Sequence, residues 1–260
     1  MAAMNRTEKA LELLRLHTDP ELLVLVNVWD VVSAKVVAAT PGVKAIATAS
    51  HSVAASRGYP DGEKIPRDEM IDAVGRIASV VSLPVTADLE AGYGDAGETV
   101  RRAIGVGVVG ANLEDQVKPL REAVSAVAAA VAAGTAEGVP FVVNARTDVF
   151  LRAGDRPPAA VLAEAIERGR AYLEAGASTF FVPGKLDEPQ VTALVDALGP
   201  RKINLIALPG ALPLARMQAL GVARVSFGPW SQNVALTALA DFVAAALTGS
   251  SLPASTRRLN

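Results

Sequence analysis

Eight short, nearly continuous apolar runs recur along the 260-residue chain, and each is followed by an Ala-rich or amphipathic stretch. The runs are LLVLVNVW at 22–29, VKAIATAS at 43–50, PVTADLE at 84–90, VGANLED at 109–115, PFVVNART at 140–147, STFFVPG at 178–184, INLIALPG at 203–210 and ARVSFGP at 223–229. Runs apolar at nearly every position suit strands covered on both faces, which is how parallel sheets are built. The stretches between them, such as DEMIDAVGRIASVV, GETVRRAIGVG and PAAVLAEAIERGRAYLEAG, carry strong helix formers. Several end in Gly, a common helix stop. Eight such β–α units predict a (β/α)₈ barrel. The alternative is a doubly wound open sheet, but the count of eight and the absence of a GxGxxG turn after the first run favour the barrel. No Pro/Gly/Ser-rich linker divides the chain, so one barrel domain is expected over 1–250 with a tail at 251–260.

Composition narrows the function classes. Hydrophobic residues make up 51% and charged residues 20%, enough for a sizeable core and inconsistent with disorder. A net charge of −2 gives no footprint for nucleic acid. With no cysteine there is no disulfide, no thiolate metal site and no cysteine nucleophile. His17 and His51 are the only histidines, too few for a multi-histidine metal site. The apolar stretch at 234–247 contains Asp241 and is too short to span a bilayer, and the N-terminus reads as an amphipathic helix. A cytoplasmic protein that binds neither membrane nor nucleic acid is expected.

Polar residues gather at the strand ends, where barrel enzymes keep their chemistry. In VTADLEAGYG, Asp88 and Glu90 are two apart and so point to one face of the strand; the alternative is a pair of surface acids at a loop start. In NLEDQ, Asn112 and Glu114 share a face, which brings a third carboxylate beside the first two. Such an oxygen-rich, cysteine-free set suits Mg²⁺ or Mn²⁺. In FVVNARTDV, Asn144 and Arg146 alternate onto one face. A guanidinium at that depth needs an anion, either a neighbouring acid or a substrate carboxylate held bidentately. Thr147 and Asp148 are candidates to support it. The small-residue loop TASHSVAASRGYPDGE ends near Asp61, which is placed to reach a cation's water shell. Its His51 is either a polar substrate contact and proton donor or a surface residue. Trp29 and Asp30 either line the pocket floor or cap a helix. Lys185 reads as solvated and His17 as structural.

These segments, in their order and spacing, resemble the isocitrate lyase/phosphoenolpyruvate mutase superfamily. The matching stretches are NVWDVVSAKV, TAS…RGYPDGE, LPVTADLEAGYGD, GANLEDQ, VNARTDV, FFVPG and GVARVSFGP. The resemblance implies a Mg²⁺-binding (β/α)₈ barrel that makes or breaks C–C or P–C bonds beside a carboxylate, through a metal-stabilised enolate. It implies Asp88 as principal metal ligand, with Glu90, Glu114 and Asp61 holding the metal's waters. It implies Arg146 as the grip on the substrate carboxylate, Thr48, Ala49 and Ser50 as a backbone cradle for it, and Trp29 and Asp30 at the pocket floor. It also implies a homo-oligomer, dimer or tetramer, with a C-terminal helix (234–247) exchanged between neighbours.

The chain departs from the pattern after EDQ. The superfamily's lyases carry a cysteine- and histidine-bearing loop there; this chain reads EDQVKPLREAVSA. That argues against isocitrate lyase, methylisocitrate lyase and phosphoenolpyruvate mutase activities. The expectation is a Mg²⁺-dependent lyase or decarboxylase of a small 2-oxo or 2-hydroxy carboxylic acid. The alternatives are a phosphonopyruvate-type P–C hydrolase or mutase and a non-catalytic carboxylate-binding barrel.

Overall fold

The computed structural model describes residues 4–259. All eight apolar runs become parallel strands, but the first is split. β1 (Leu23–Leu25) and β2 (Asn27–Val28) are two pieces of one extended stretch interrupted at Val26. β3 (Ile46–Thr48), β4 (Val85–Asp88), β5 (Gly110–Glu114), β6 (Val142–Arg146), β7 (Thr179–Val182), β8 (Ile203–Ile206) and β9 (Arg224–Ser226) follow. Neighbours in sequence are neighbours in the sheet from β2 through β9. β1 pairs with β9, Leu23 opposite Arg224, and β2 pairs with β3, Asn27 opposite Ala47. One stretch of chain therefore bridges both edges and closes the ring. An open doubly wound sheet keeps two free edges; the architecture here is the (β/α)₈ barrel.

The helices that cover the ring are α1 (Arg6–Thr18), α2 (Val31–Ala38), α3 (Ser50–Ser56), α4 (Arg67–Ser79) and α5 (Ala96–Gly105), then α6 (Leu120–Ala136), α7 (Pro158–Glu174), α8 (Glu188–Leu198), α9 (Leu214–Ala219) and α10 (Trp230–Leu247). Their starts and faces are written locally. Asn5, Asp30 and Asp187 make capping boxes with Glu8, Ser33 and Gln190, which satisfies amide groups that the first turn leaves open. α5 buries Ala96, Thr99, Val100, Ala103 and Ile104, the i, i+3, i+4, i+7, i+8 stripe of a helix lying on a sheet. The short helix α9 was not legible as a separate element, whereas Asp30 marked the start of α2 as its cap.

α1 lies across the N-terminal ends of β5 and β6. A Cβ at Gly110 would stand 2.8 Å from Leu13 Cδ2 and 2.9 Å from the Val142 carbonyl oxygen, so only glycine lets α1 seat this closely. α10 is the exception to the packing pattern. Of its residues only Gln232 is buried, while Leu236, Leu239, Val243 and Leu247 are exposed. Residues 251–259 form no helix or strand and are exposed. No helix among the described residues is long and apolar enough to cross a membrane.

Candidate functional site

The C-terminal ends of the strands open onto a cavity of about 240 Å³. Its polar wall includes Asn27 from β2, Ser50 after β3, Asp88 at the end of β4, Asn112 from β5 and Arg146 at the end of β6. His51 and Asp61 stand at its rim, Nδ1 of the imidazole 3.5 Å from Asp61 Oδ2, and both side chains are about half exposed.

Asp88 is held from one side only. Its Oδ2 accepts hydrogen bonds from the Ser50 amide (3.1 Å) and the Ser50 hydroxyl (2.8 Å), and its own amide donates to Thr48 Oγ1 (3.0 Å). Its Oδ1 is buried and has no hydrogen-bond partner. A buried carboxylate oxygen left open is costly, and this one belongs to a residue lining the cavity. The expected backbone cradle is partly engaged elsewhere. The Ser50 amide serves Asp88, and the Ala49 amide donates to the Val28 carbonyl at 3.4 Å.

β4 ends at Asp88, so the two-residue alternation does not carry on to Glu90. Glu90 sits in a turn with φ 51° and does not line the cavity. Its carboxylate accepts from the Glu63 amide and from the Tyr93 hydroxyl (3.1 Å). Burial pushes it up to about 7, the Glu63 amide pulls it back, and the charges of Asp88 and Asp61 add to the rise. Asn112 and Glu114 do share a face of β5, with Asn112 on the cavity. Glu114 instead pairs with Arg146 Nη1 at 2.8 Å. Burial pushes Glu114 up to about 8 against the pull of Arg146, with Asp148, Asp88 and Glu90 adding to the rise.

Arg146 is held by two acids. Nη1 meets Glu114, and Nε meets Asp148 Oδ1 at 2.8 Å, which leaves Nη2 outside both pairs. The guanidinium carbon lies 5.9 Å from the centre of the Phe181 ring, a cation–π distance. Both readings of this arginine therefore stand together: it is paired with acids, and it lines the cavity.

The other expected residues fall elsewhere. Asn144 is fully buried, and its amide donates to Asn112 Oδ1 at 2.7 Å, so it orients Asn112 from within the barrel. Trp29 and Asp30 line a separate cleft beside Arg57 and Arg76, and the Asp30 carboxylate caps α2. Lys185 is exposed and does not line the cavity; His17 is buried on α1. Among the described residues, no group of three or more His, Asp or Glu is arranged to hold one ion jointly.

Two positioning residues went unread in the sequence. Asn27 ties β2 to the end of β3 and to the loop after β9: Nδ2 donates to the Thr48 carbonyl, and Oδ1 accepts from the Phe227 and Gly228 amides, all at 2.8 Å. A lone Asn inside LLVLVNVW was the available signal. Asp115 anchors the end of β6. Its Oδ1 accepts from the Val117 (2.8 Å) and Asp148 (3.0 Å) amides. Its Oδ2 accepts from Thr147 Oγ1 and the Tyr172 hydroxyl (both 2.7 Å) and from Arg168 Nη1 (3.2 Å). By holding Asp148, Asp115 holds the acid that orients Arg146.

The sequence profile of the phosphoenolpyruvate phosphomutase family matches residues 13–247. The chain belongs to that family. Within the isocitrate lyase/phosphoenolpyruvate mutase superfamily it is 30% identical over 258 residues to 2,3-dimethylmalate lyase of Eubacterium barkeri, covering 92% of this chain and 85% of the relative. It is 40% identical to a solved chain from Burkholderia cenocepacia J2315 provisionally called a phosphonomutase, with a TM-score of 0.86 over 91% of this chain and 99% of the other. The structure of oxaloacetate acetylhydrolase in complex with the product oxalate is 27% identical, with a TM-score of 0.85 over 96% of this chain and 91% of that one. These relatives are lyases, mutases and hydrolases of small acids, so the family places this barrel among enzymes of that kind.

Proposed function

We propose that the chain is a Mg²⁺-dependent carbon–carbon lyase or decarboxylase of a small 2-oxo or 2-hydroxy carboxylic acid, with Mn²⁺ as an alternative ion. The observation that carries this reading is the open, buried Oδ1 of Asp88 at the cavity wall. The surrounding charge agrees. Five acids, Asp61, Asp88, Glu90, Glu114 and Asp148, outnumber the two guanidinium groups near them: Arg146, paired with Glu114 and Asp148, and the buried Arg224, whose charge acts on Asp88. Such an excess of oxygen donors and negative charge suits a hard divalent cation. Asp88 would hold the ion, with Asp61, Glu90 and Glu114 around its waters. Bound there, a divalent cation supplies Lewis acidity to the oxygen beside the scissile bond.

The chain's own residues bind and orient. Arg146 offers Nη2 to the substrate carboxylate while Glu114 and Asp148 fix the plane of its guanidinium. Ser50 fixes the Asp88 rotamer, and Asn112, set by Asn144, presents its side chain to the cavity. Only residues 115–119 lie between β5 and α6, and none is Cys or His. Decarboxylation suits this short connection. The electron pair of the breaking C–C bond stays on the substrate as CO₂ leaves, so no acid is needed at the leaving group. The substrate carbon then takes a proton, and His51 on the cavity rim is the side chain we assign to deliver it.

The test is Asp88→Asn, which keeps shape and removes charge. Turnover should fall at least about 10²-fold with circular dichroism and thermal midpoint near wild type. Unchanged turnover overturns the reading. Release of phosphate from phosphonopyruvate, with no C–C cleavage of any acid, would redirect it to the P–C bond.

A further inference from the structure

The cavity has two unlike walls. Opposite the polar wall stand Leu151, Phe181, Pro183, Ile206, Leu208 and Trp230, contributed by β7, β8, the start of α10 and the loop after β6. None carries a charge, and Phe181 already lies under the Arg146 guanidinium. Leu151 and Trp230 are well exposed at the mouth, at 55% and 38%. Exposed apolar side chains that converge on a cavity are ordinarily covered by what the cavity binds.

Charge leads to the same conclusion. Among the described residues, Arg146 is the only Lys or Arg lining the cavity, and two acids already share it. Lys185, in the loop after β7, is exposed and does not line the cavity. A substrate with one carboxylate finds its partner at Arg146. A second carboxylate reaching the far wall would lose its water against Phe181, Ile206 and Leu208 with no cation among the residues lining that wall, the nearby Lys185 Nζ lying outside it beside Gly210, a costly exchange.

Building on the function proposed above, we infer that the acid recognised here carries an apolar substituent and no second charge on that side. Its 2-oxo or 2-hydroxy acid head lies toward Asp88 and Arg146. Its alkyl or aryl group lies against Phe181, Ile206 and Leu208. The product released is then a 2-oxo acid with an apolar tail, and the reaction that supplies the substrate must build that tail onto a 2-oxo or 2-hydroxy acid.

Calorimetric binding in Mg²⁺ tests this with pyruvate, 2-oxobutyrate, 2-oxopentanoate and 2-oxoglutarate. The last two match in length and differ in the terminal charge. Affinity should rise about threefold per added methylene from pyruvate to 2-oxopentanoate. 2-Oxoglutarate should bind at least tenfold more weakly than 2-oxopentanoate. Leu208→Arg, at a half-buried position that tolerates a long side chain, should narrow or reverse that gap. Pyruvate binding with no gain along the series, or 2-oxoglutarate binding as tightly as 2-oxopentanoate, overturns this inference and leaves the acid-head reading intact. Failure of every acid, pyruvate included, to bind overturns the acid-head reading and this inference with it.

Discussion

Asp115 shows how much of the site rests on a residue that does not line the site's cavity. Five donors converge on its carboxylate, among them the buried guanidinium of Arg168. Removing one member of a buried ion pair leaves the other charge uncompensated, which costs about 3–5 kcal/mol. Asp115→Ala should lose stability of that order in urea denaturation and, in whatever remains folded, weaken substrate binding through Asp148 and Arg146. His17 gives a second prediction. Its imidazole is fully buried, Nδ1 lies 2.7 Å from the Leu13 carbonyl oxygen, and Nε2 has no partner. Burial first, then the charges of Arg224 and Arg201, lowers it from 6.5 to about 3. The folded state therefore resists a proton that the unfolded chain accepts. The stability this neutral imidazole protects is fully present above pH 6.5 and is lost as pH falls toward 3, with a slope approaching ~1.4 kcal/mol per pH unit. His17→Met should flatten that part of the profile when urea midpoints are compared at pH 7 and pH 4.5. A profile as steep as wild type would place the proton uptake elsewhere. The pairings at this scale were the least legible in the sequence. Arg168 and Asp115 lie 53 residues apart, and no spacing rule joins them.

At the scale of elements, the strands were legible because each is an apolar run with its own turn signals. Glu90 fell outside the reading because the strand stops two residues earlier, at Asp88, and φ 51° turns the chain out of the sheet. The helix that seals the N-terminal end of the barrel depends on one missing side chain. Gly110→Ala should cost about 1–3 kcal/mol by overpacking, because Leu13 can yield but the Val142 carbonyl is part of the sheet. An unchanged melting midpoint would show that α1 is not tightly seated. α10 raises the opposite question. Leu236, Leu239, Val243 and Leu247 recur at intervals of three and four and face solvent in the single chain. We propose that a second copy of the chain covers this face, as the apolar 234–247 stretch suggests. Light scattering should give a dimer or tetramer for wild type and a monomer for Leu239→Glu/Val243→Glu. A monomeric wild type would refute the proposal.

For the molecule as a whole, closure of the ring was readable from the count of eight β–α units, and the strand ends named much of the cavity's polar wall. Asp88, Asp61, Arg146, Ala49 and Ser50 all reach it. Trp29 and Asp30 do not, because the chain turns into α2 at once and Asp30 is taken up as its cap. The apolar wall was hidden for a different reason. Phe181, Ile206 and Leu208 look in sequence like any other core residues, and only the closed barrel shows which of them border a cavity. The proposed reaction is cleavage of a C–C bond in a small 2-oxo or 2-hydroxy acid with help from a divalent cation. The most direct measurement is release of 2-oxo acid product from a panel of oxaloacetate, alkyl-substituted oxaloacetates and substituted malates, in Mg²⁺ and again in EDTA. The proposed reaction requires release from at least one compound, abolished by EDTA and restored by Mg²⁺. Release that persists in EDTA, or silence across the panel from folded protein, would contradict it.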